Sequence, residues 1–251
     1  MVFLKRLPLL IYGPLIFIAL GLAPLFFKHT PEFRERYWGW IKKALRVLLR
    51  ALSIEVRVSQ DSLQRLMQDE NSVIAANHKS HLDVVALLSI MPAEKWVTFS
   101  PKVELYKVPF FARGFNAAGC IPIDRANPRA ALRTLIKAVS EKPARESLIL
   151  FPEGTRWRSE GIGPFKAGVM LVAKARSLTV RPICIQGSDK LLPPGSAWPK
   201  AGVITIEVLP SFTPDEGSTD ENLARLQAQV AQAHARLEAQ AREAQAATFA
   251  S

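Results

Sequence analysis

Apolar and polar positions change rhythm three times along this chain. Residues 7–27 are apolar and uncharged almost throughout. Over residues 31–52, apolar side chains recur at steps of three or four, the period of an amphipathic helix. From Ser53 the pattern breaks into short runs: Ile54, Val56 and Val58 alternate with Glu55 and Arg57, as in a half-buried strand. Further short apolar runs at 72–76, 96–99, 120–123, 148–151, 180–185 and 203–209 predict strands. Helical periodicity at 80–90, 109–118, 128–139 (capped by Asn127) and 167–176 separates them. Strands alternating with helices of this length predict an α/β domain around a single mixed or largely parallel sheet. After Thr219, Leu223, Leu226, Val230, Ala233 and Leu237 form a narrow stripe, so a terminal helix is expected to pack on the body or on another chain. The expected organisation is helices at 1–52, an α/β domain at 53–215 and a C-terminal helix at 216–251.

The N-terminal segments add a membrane theme. As a helix, residues 7–27 would be roughly 30 Å long, close to one hydrocarbon core. Pro8, Pro14, Pro24, Gly13 and Gly21 interrupt the run, so a kinked span and an interfacial helix both fit. In the next helix, Phe33, Tyr37, Ile41, Ala44, Leu48 and Leu52 form the predicted stripe beside Trp38 and Trp40. Arg36, Lys42, Lys43, Arg46 and Arg50 lie elsewhere around it, an arrangement suited to a headgroup layer, although an ordinary amphipathic helix packed on the domain also fits. Positive charge concentrated after the first apolar run favours a cytoplasmic main domain.

Overall charge points the same way. Lys and Arg total 33 against 22 Asp and Glu, a formal charge of +11, which favours anionic partners. No zinc-finger, phosphate-loop or ribonucleoprotein motif is present, so nucleic acid is not the expected partner. The only cysteines, Cys120 and Cys184, sit in apolar runs with no metal-ligand spacing, so neither a disulfide framework nor a metal site is expected.

Candidate chemistry begins with Asn77-His78-Lys79-Ser80-His81-Leu82-Asp83, placed where a strand gives way to a helix. A carboxylate folded back on His78 would fix the imidazole tautomer and make it a general base. The same Ser80-x-x-Asp83 spacing also fits a capping box. Ser80 as N-cap would have a structural task, and free amides at that helix start would suit an oxyanion. A second block, Gly119 to Arg125, ends in Asp124-Arg125, which also fits a surface ion pair. In the third, Pro152 and Gly154 bracket Glu153, and Thr155 and Arg156 follow. An arginine fork beside turn amides suits phosphate, and Lys166 supplies another cation near a helix start. A structural Glu–Arg pair fits that turn equally.

Together with Val180-Arg181-Pro182-Ile183, these blocks stand in the order and approximate spacing of the four motifs of glycerolipid acyltransferases. The chain resembles the bacterial 1-acyl-sn-glycerol-3-phosphate acyltransferase family over residues 55–210 or so. It carries Pro122 where that family more often has an aromatic or aliphatic residue. The resemblance implies an O-acyltransferase that moves a fatty acyl group from a thioester to the free hydroxyl of lysophosphatidic acid, forming phosphatidic acid. It implies His78 as base, Asp83 as its orienting partner, and Arg125, Glu153, Gly154, Thr155 and Arg156 on the acceptor, with Lys102 and Lys166 as further cations. It also implies acyl-CoA or acyl carrier protein as donor, no cofactor and no acyl-enzyme. The expected place is the bacterial inner (cytoplasmic) membrane, with the catalytic domain facing the cytoplasm and an anionic membrane surface as partner. Other readings are transfer to another lysolipid, a lipid esterase, for which the Gly-x-Ser-x-Gly elbow is absent, and a non-enzymatic anion binder.

Overall fold

The computed structural model describes residues 18, 21–26, 30–69, 71–108, 111–143, 146–196, 198–214 and 217–250. Most of the apolar run at 7–27 therefore lies outside the described residues. Its tail forms a 3-10 turn at Ala23–Leu25, with Leu25 and Phe26 exposed. No helix among the described residues is long and apolar enough to cross a membrane.

Helix α1 spans Pro31–Ala51, with Thr30 Oγ1 accepting from the Phe33 amide at 3.2 Å and proline at the first helical position. Its buried face is Phe33, Tyr37, Trp38, Lys42, Leu45 and Leu49, rotated from the predicted stripe. Lys42 explains much of the rotation. Its ammonium donates to the carbonyls of Pro92 (2.5 Å), Ala93 (3.2 Å) and Lys95 (2.9 Å), and burial pushes its pKa down to about 8. A hydrophobic stripe leaves lysine out, yet its long stem packs as apolar surface.

Among the described residues six strands follow: β1 (Ile54–Val58), β2 (Ser72–Ala76), β3 (Trp96–Phe99), β4 (Glu146–Leu150), β5 (Thr179–Gln186) and β6 (Gly202–Val208). They form one sheet in the order β1-β6-β5-β2-β4-β3. β5, β2, β4 and β3 run parallel, whereas β6 and its parallel neighbour β1 run against β5. The remaining helices are α2 (Gln60–Gln68), α3 (Leu82–Ile90), α4 (Phe111–Ala117), α5 (Pro128–Glu141), α6 (Gly168–Lys174), α7 (Ser188–Leu191) and α8 (Thr219–Ala250).

Period-two alternation on central β2 divides the core into two layers. Ile74 and Ala76 face the cluster built with α1 and α3, while Val73 and Ala75 face that of α5, α6 and α8. The predicted C-terminal stripe settles on the body: Leu226, Val230, Ala233 and Leu237 are all buried there.

Three elements differ from expectation. Residues 120–123 are not a strand. The segment runs beside the chain leaving β3, with Ile121 N bonded to Phe99 O (3.1 Å) and Ile123 N to Pro101 O (3.2 Å). Pro101 and Pro122 have no N–H to extend that ladder, and an isolated bridge between Lys102 and Ile123 is what forms. β4 begins before its apolar run because Glu146 and Ser147 are buried polar residues with partners, Arg34 and Ser72 respectively. α2, which the pattern did not announce, is capped by Ser59 through the Ser62 amide at 3.1 Å and buries Leu66.

Candidate active site

β2 and β4 are adjacent and parallel, with Ala75 opposite Leu150, so the turns that follow them meet. Asn77 fixes where β2 stops. Its side-chain amide donates to Ile185 O (2.8 Å) and accepts from Ile185 N (2.7 Å), replacing a strand residue on β5. His78 then turns out of the sheet against Phe151, with ring centroids 4.2 Å apart and planes at 25°.

His78 Nδ1 lies 2.9 Å from Asp83 Oδ2, and the carboxylate is completely buried. An ionised carboxylate only accepts, so Nδ1 carries the hydrogen and Nε2 is left as the basic nitrogen. The same Oδ2 accepts from the amides of Lys79 (2.7 Å) and Ser80 (2.8 Å). Capping and orientation are thus two tasks of one oxygen. Asp83 Oδ1 is buried with no hydrogen-bond partner among the described residues.

Ser80 is not the N-cap. The helix starts one residue later than that reading requires, with His81 at the cap and no side-chain cap bond. Ser80 Oγ instead accepts from Leu82 N (3.3 Å) and donates to Leu192 O (3.0 Å). The amides of Lys79, Ser80, Leu82 and Asp83 are therefore all occupied, the last by Ser80 O at 3.2 Å. The expectation that they cradle an oxyanion fails for these four.

Glu153 also departs from its expected place. It is 3% exposed and turned inward, accepting from His78 N through Oε2 (2.6 Å) and from Gly163 N through Oε1 (2.9 Å). Burial raises its pKa to about 7, against the pull of those two amides. It ties the two turns together, with each oxygen engaged by a backbone amide. Trp157 N adds a second tie, donating to His78 O at 2.7 Å.

The remaining predicted residues form the rim. Gly154 has φ +73°, and a Cβ there would come within 2.9 Å of Lys166 Nζ, so glycine lets that exposed lysine lie across the turn. Thr155 is exposed and Arg156 half-buried. Among the described residues neither Arg125 nor Arg156 has an ion-pair partner. Desolvation against the protein surface lowers the pKa of Arg125, with Glu104 opposing and Arg156 reinforcing the shift. Burial first, then Arg156 and His78, lowers that of His81. The Arg156 charge is thus felt by both His81 and Arg125. Asp124 serves its own turn, its Oδ1 accepting from Ala126 N at 2.9 Å, and does not pair with Arg125. Lys102 is drawn to Glu104 (2.9 Å) and is the weakest of these cations.

Two supports were not anticipated. Lys79 is buried and donates to the carbonyls of Ser159 (3.1 Å) and Gly161 (2.9 Å), with Asp189 at 3.4 Å. Phe151 supplies the face on which His78 rests. Both lie beside motif residues in sequence, which is the signal that could have found them. Among the described residues, no group of three His, Cys, Asp or Glu side chains could hold a metal ion.

Residues 55–186, over half the chain, match the family model described as Acyltransferase. The chain belongs to the acyltransferase family. Similar curated proteins include the chloroplastic 1-acyl-sn-glycerol-3-phosphate acyltransferase BAT2 of Brassica napus, 31% identical over 51% of this chain and 36% of that protein. The 1-acyl-sn-glycerol-3-phosphate acyltransferase of Salmonella typhimurium is 31% identical over 60% of each chain. The chain thus spans between about a third and three fifths of the length of these relatives. In fold, it resembles the crystal structure of the 1-acyl-sn-glycerophosphate (LPA) acyltransferase PlsC from Thermotoga maritima, with a TM-score of 0.72 at 23% identity over 91% of this chain and 89% of that one.

Proposed function

We propose that this acyltransferase-family protein transfers a fatty acyl group from a thioester donor to the free hydroxyl of 1-acyl-sn-glycerol-3-phosphate, forming phosphatidic acid. The observation that carries the proposal is the buried Asp83 carboxylate fixing His78 by Nδ1, beside a rim where Arg125 and Arg156 have no ion-pair partner among the described residues. His78 Nε2 takes the acceptor's hydroxyl proton as that oxygen attacks the thioester carbonyl. The tetrahedral intermediate collapses, the carbon–sulfur bond breaks, and the imidazolium returns the proton to the departing thiolate. An ester and a free thiol result, with no acyl-enzyme and no cofactor. Ser80 Oγ, held by Leu192 O and Leu82 N, is not in this scheme.

Arg156 and Arg125 hold the acceptor's phosphate, with Lys166 across Gly154 as a third cation and Lys102 at the margin. Thr155, exposed on the same turn, offers a hydroxyl to the glycerol portion. Glu153 acts on the reaction through the position of His78. Residues 53–215 form the catalytic domain, 216–251 the closing helix, and 1–52 the membrane side. The protein works at the inner (cytoplasmic) membrane with its site facing the cytoplasm, drawing the acyl group from acyl-CoA or acyl carrier protein.

The test is an acceptor-by-donor panel with the purified full chain in detergent. Phosphatidic acid should form with one thiol released per ester made, and faster than products from uncharged monoacylglycerol or zwitterionic lysophospholipid. Free fatty acid released without acceptor would mark a hydrolase. Thioester consumption by no acceptor would leave only a binder.

A further inference from the structure

Val103, Leu105, Val108 and Phe111 are each between 37% and 42% exposed, on a 3-10 helix at Val103–Lys107 and the start of α4. Four large apolar side chains exposed within nine residues are a patch, whereas Met67 and Trp198 are exposed singly. The patch is held rigidly from beneath. Tyr106 Oη donates to Cys120 O at 3.1 Å, and Tyr106, Phe111 and Phe99 all meet Phe115 with ring centroids 5.3–5.9 Å apart. Lys107 and Arg113 are exposed among the apolar residues, and the nearby carboxylate, Glu104, is engaged by Lys102.

We infer that this face docks on a lipid bilayer carrying anionic headgroups, as a second contact separate from the anchor proposed for residues 1–52. Apolar side chains interleaved with cations match the boundary between acyl chains and anionic headgroups. Two further observations favour a bilayer over an acidic carrier protein. The 3-10 turn at Ala23–Leu25, which ends the uncharged run at 7–27, packs against α4. Leu25 and Phe26, 54% and 78% exposed, continue the apolar character there. The patch also adjoins the candidate acceptor site: Lys102 bridges to Ile123, and the charge of Glu104 reaches Arg125. Docking by this face would bring the cationic rim to the depth at which a lysolipid's phosphate lies. The inference rests on the acyl-transfer reading only for that last consequence.

The native cysteines are buried at 7% and 0% exposure, so an introduced cysteine can be labelled selectively in the full chain. Leu105→Cys and Val108→Cys would each carry an environment-sensitive fluorophore. Met67→Cys, 70% exposed on α2, serves as reference. Adding phosphatidylcholine vesicles containing phosphatidylglycerol should shift the labels at 105 and 108 to the blue and leave that at 67 unchanged. Lys107→Gln with Arg113→Gln should weaken the vesicle titration roughly 10- to 30-fold, as expected for the loss of two juxtamembrane cations. The inference is overturned if the full chain floats with vesicles while both labels stay in water. It is equally overturned if the shift follows addition of an acidic carrier protein and not of vesicles, or if nothing floats. A blue shift in a protein that transfers no acyl group would uphold the surface and remove the proposed reaction instead.

Discussion

The two ends of the parallel strands each bury an aspartate, and the two are wired differently. At the N-terminal end, Asp69 is saturated: Oδ2 meets Lys95, Ser72 (2.8 Å) and Ser147 (3.2 Å), and Oδ1 meets Arg181 (3.3 Å). At the C-terminal end, Asp83 gives one oxygen to two backbone amides and the His78 ring and leaves the other with no hydrogen bond among the described residues. The first arrangement satisfies its charge locally and holds strands together. The second directs its charge through an imidazole whose far nitrogen stays available. Burial of a charged group therefore does not mark a site; the direction in which its charge is spent does.

The sharpest way to break this contrast is at His78. His78→Ala should lower kcat by about 100- to 10,000-fold while the chain stays folded, because the buried ring leaves its place on Phe151 but Asn77, Lys79 and Glu153 still hold the turn. Stopped assays of thiol release alongside circular dichroism would check both halves. Retained turnover would return Asp83 to a purely capping role.

A paired comparison follows, one aspartate at each end. In Asp83→Asn the side-chain oxygen can take the one position that meets both the turn amides and Nδ1, but the negative charge that stabilises the imidazolium is gone, so activity should fall while the fold persists. Asp69→Asn should do the reverse. It strands two buried cations and costs about 3–5 kcal/mol of stability, with kcat per folded molecule unaltered. Denaturant unfolding with active-site-normalised rates separates the two. Equal loss of activity from both would dissolve the distinction between the ends.

How much of this was legible in the sequence depends on what carries each feature. Strands β2, β3 and β5 were readable because apolar runs there coincide with burial on both faces. The start of β4 was hidden because Glu146 and Ser147 look like loop residues until Arg34 and Ser72 are beside them. The false strand at 120–123 came from judging apolar character without counting the amides that Pro101 and Pro122 lack. His78 and Asp83 were legible as a pair since they stand only five positions apart. Glu153 was legible as important but not as inward-facing, because its partner amides belong to residues 75 and 10 positions away. Arg181 belongs to a recognisable block yet lies at the structural end, where a motif and a site part company.

Glu153 provides the next test, through pH. Its carboxyl is raised from 4.5 to about 7, chiefly by burial. A carboxyl with a raised folded pKa stabilises the fold fully below its ordinary value, and that contribution is lost as pH climbs through the folded one. Wild-type stability should therefore decline between pH 4.5 and about 7 by up to about 3 kcal/mol from this group. Glu153→Gln should lack that slope, as denaturant midpoints across the window would report. It should also slow turnover at every pH, because the side-chain amide has one acceptor for two backbone N–H groups. An identical pH slope in wild type and variant would assign the titration to another group.

The smallest effect, and the one that separates the wired interior from the rim, is expected at Arg156. Its guanidinium is half-buried, has no ion-pair partner among the described residues, and is felt electrostatically by both Arg125 and His81. If it grips the acceptor's phosphate, Arg156→Ala should raise the KM for lysophosphatidate and change that for the donor less. A charge-assisted hydrogen bond is worth about 1.5–3 kcal/mol, or roughly tenfold or more. Arg156→Lys should rescue only partly, since an ammonium cannot reproduce a planar two-pronged contact. Stability should not move, unlike at Asp69, because no internal partner is lost. The decisive comparison sets lysophosphatidate against uncharged monoacylglycerol: wild type should prefer the phosphorylated acceptor, and the alanine variant should lose that preference. A preference that survives would shift the phosphate to Arg125 and Lys166, the two cations that share the rim and likewise have no ion-pair partner among the described residues.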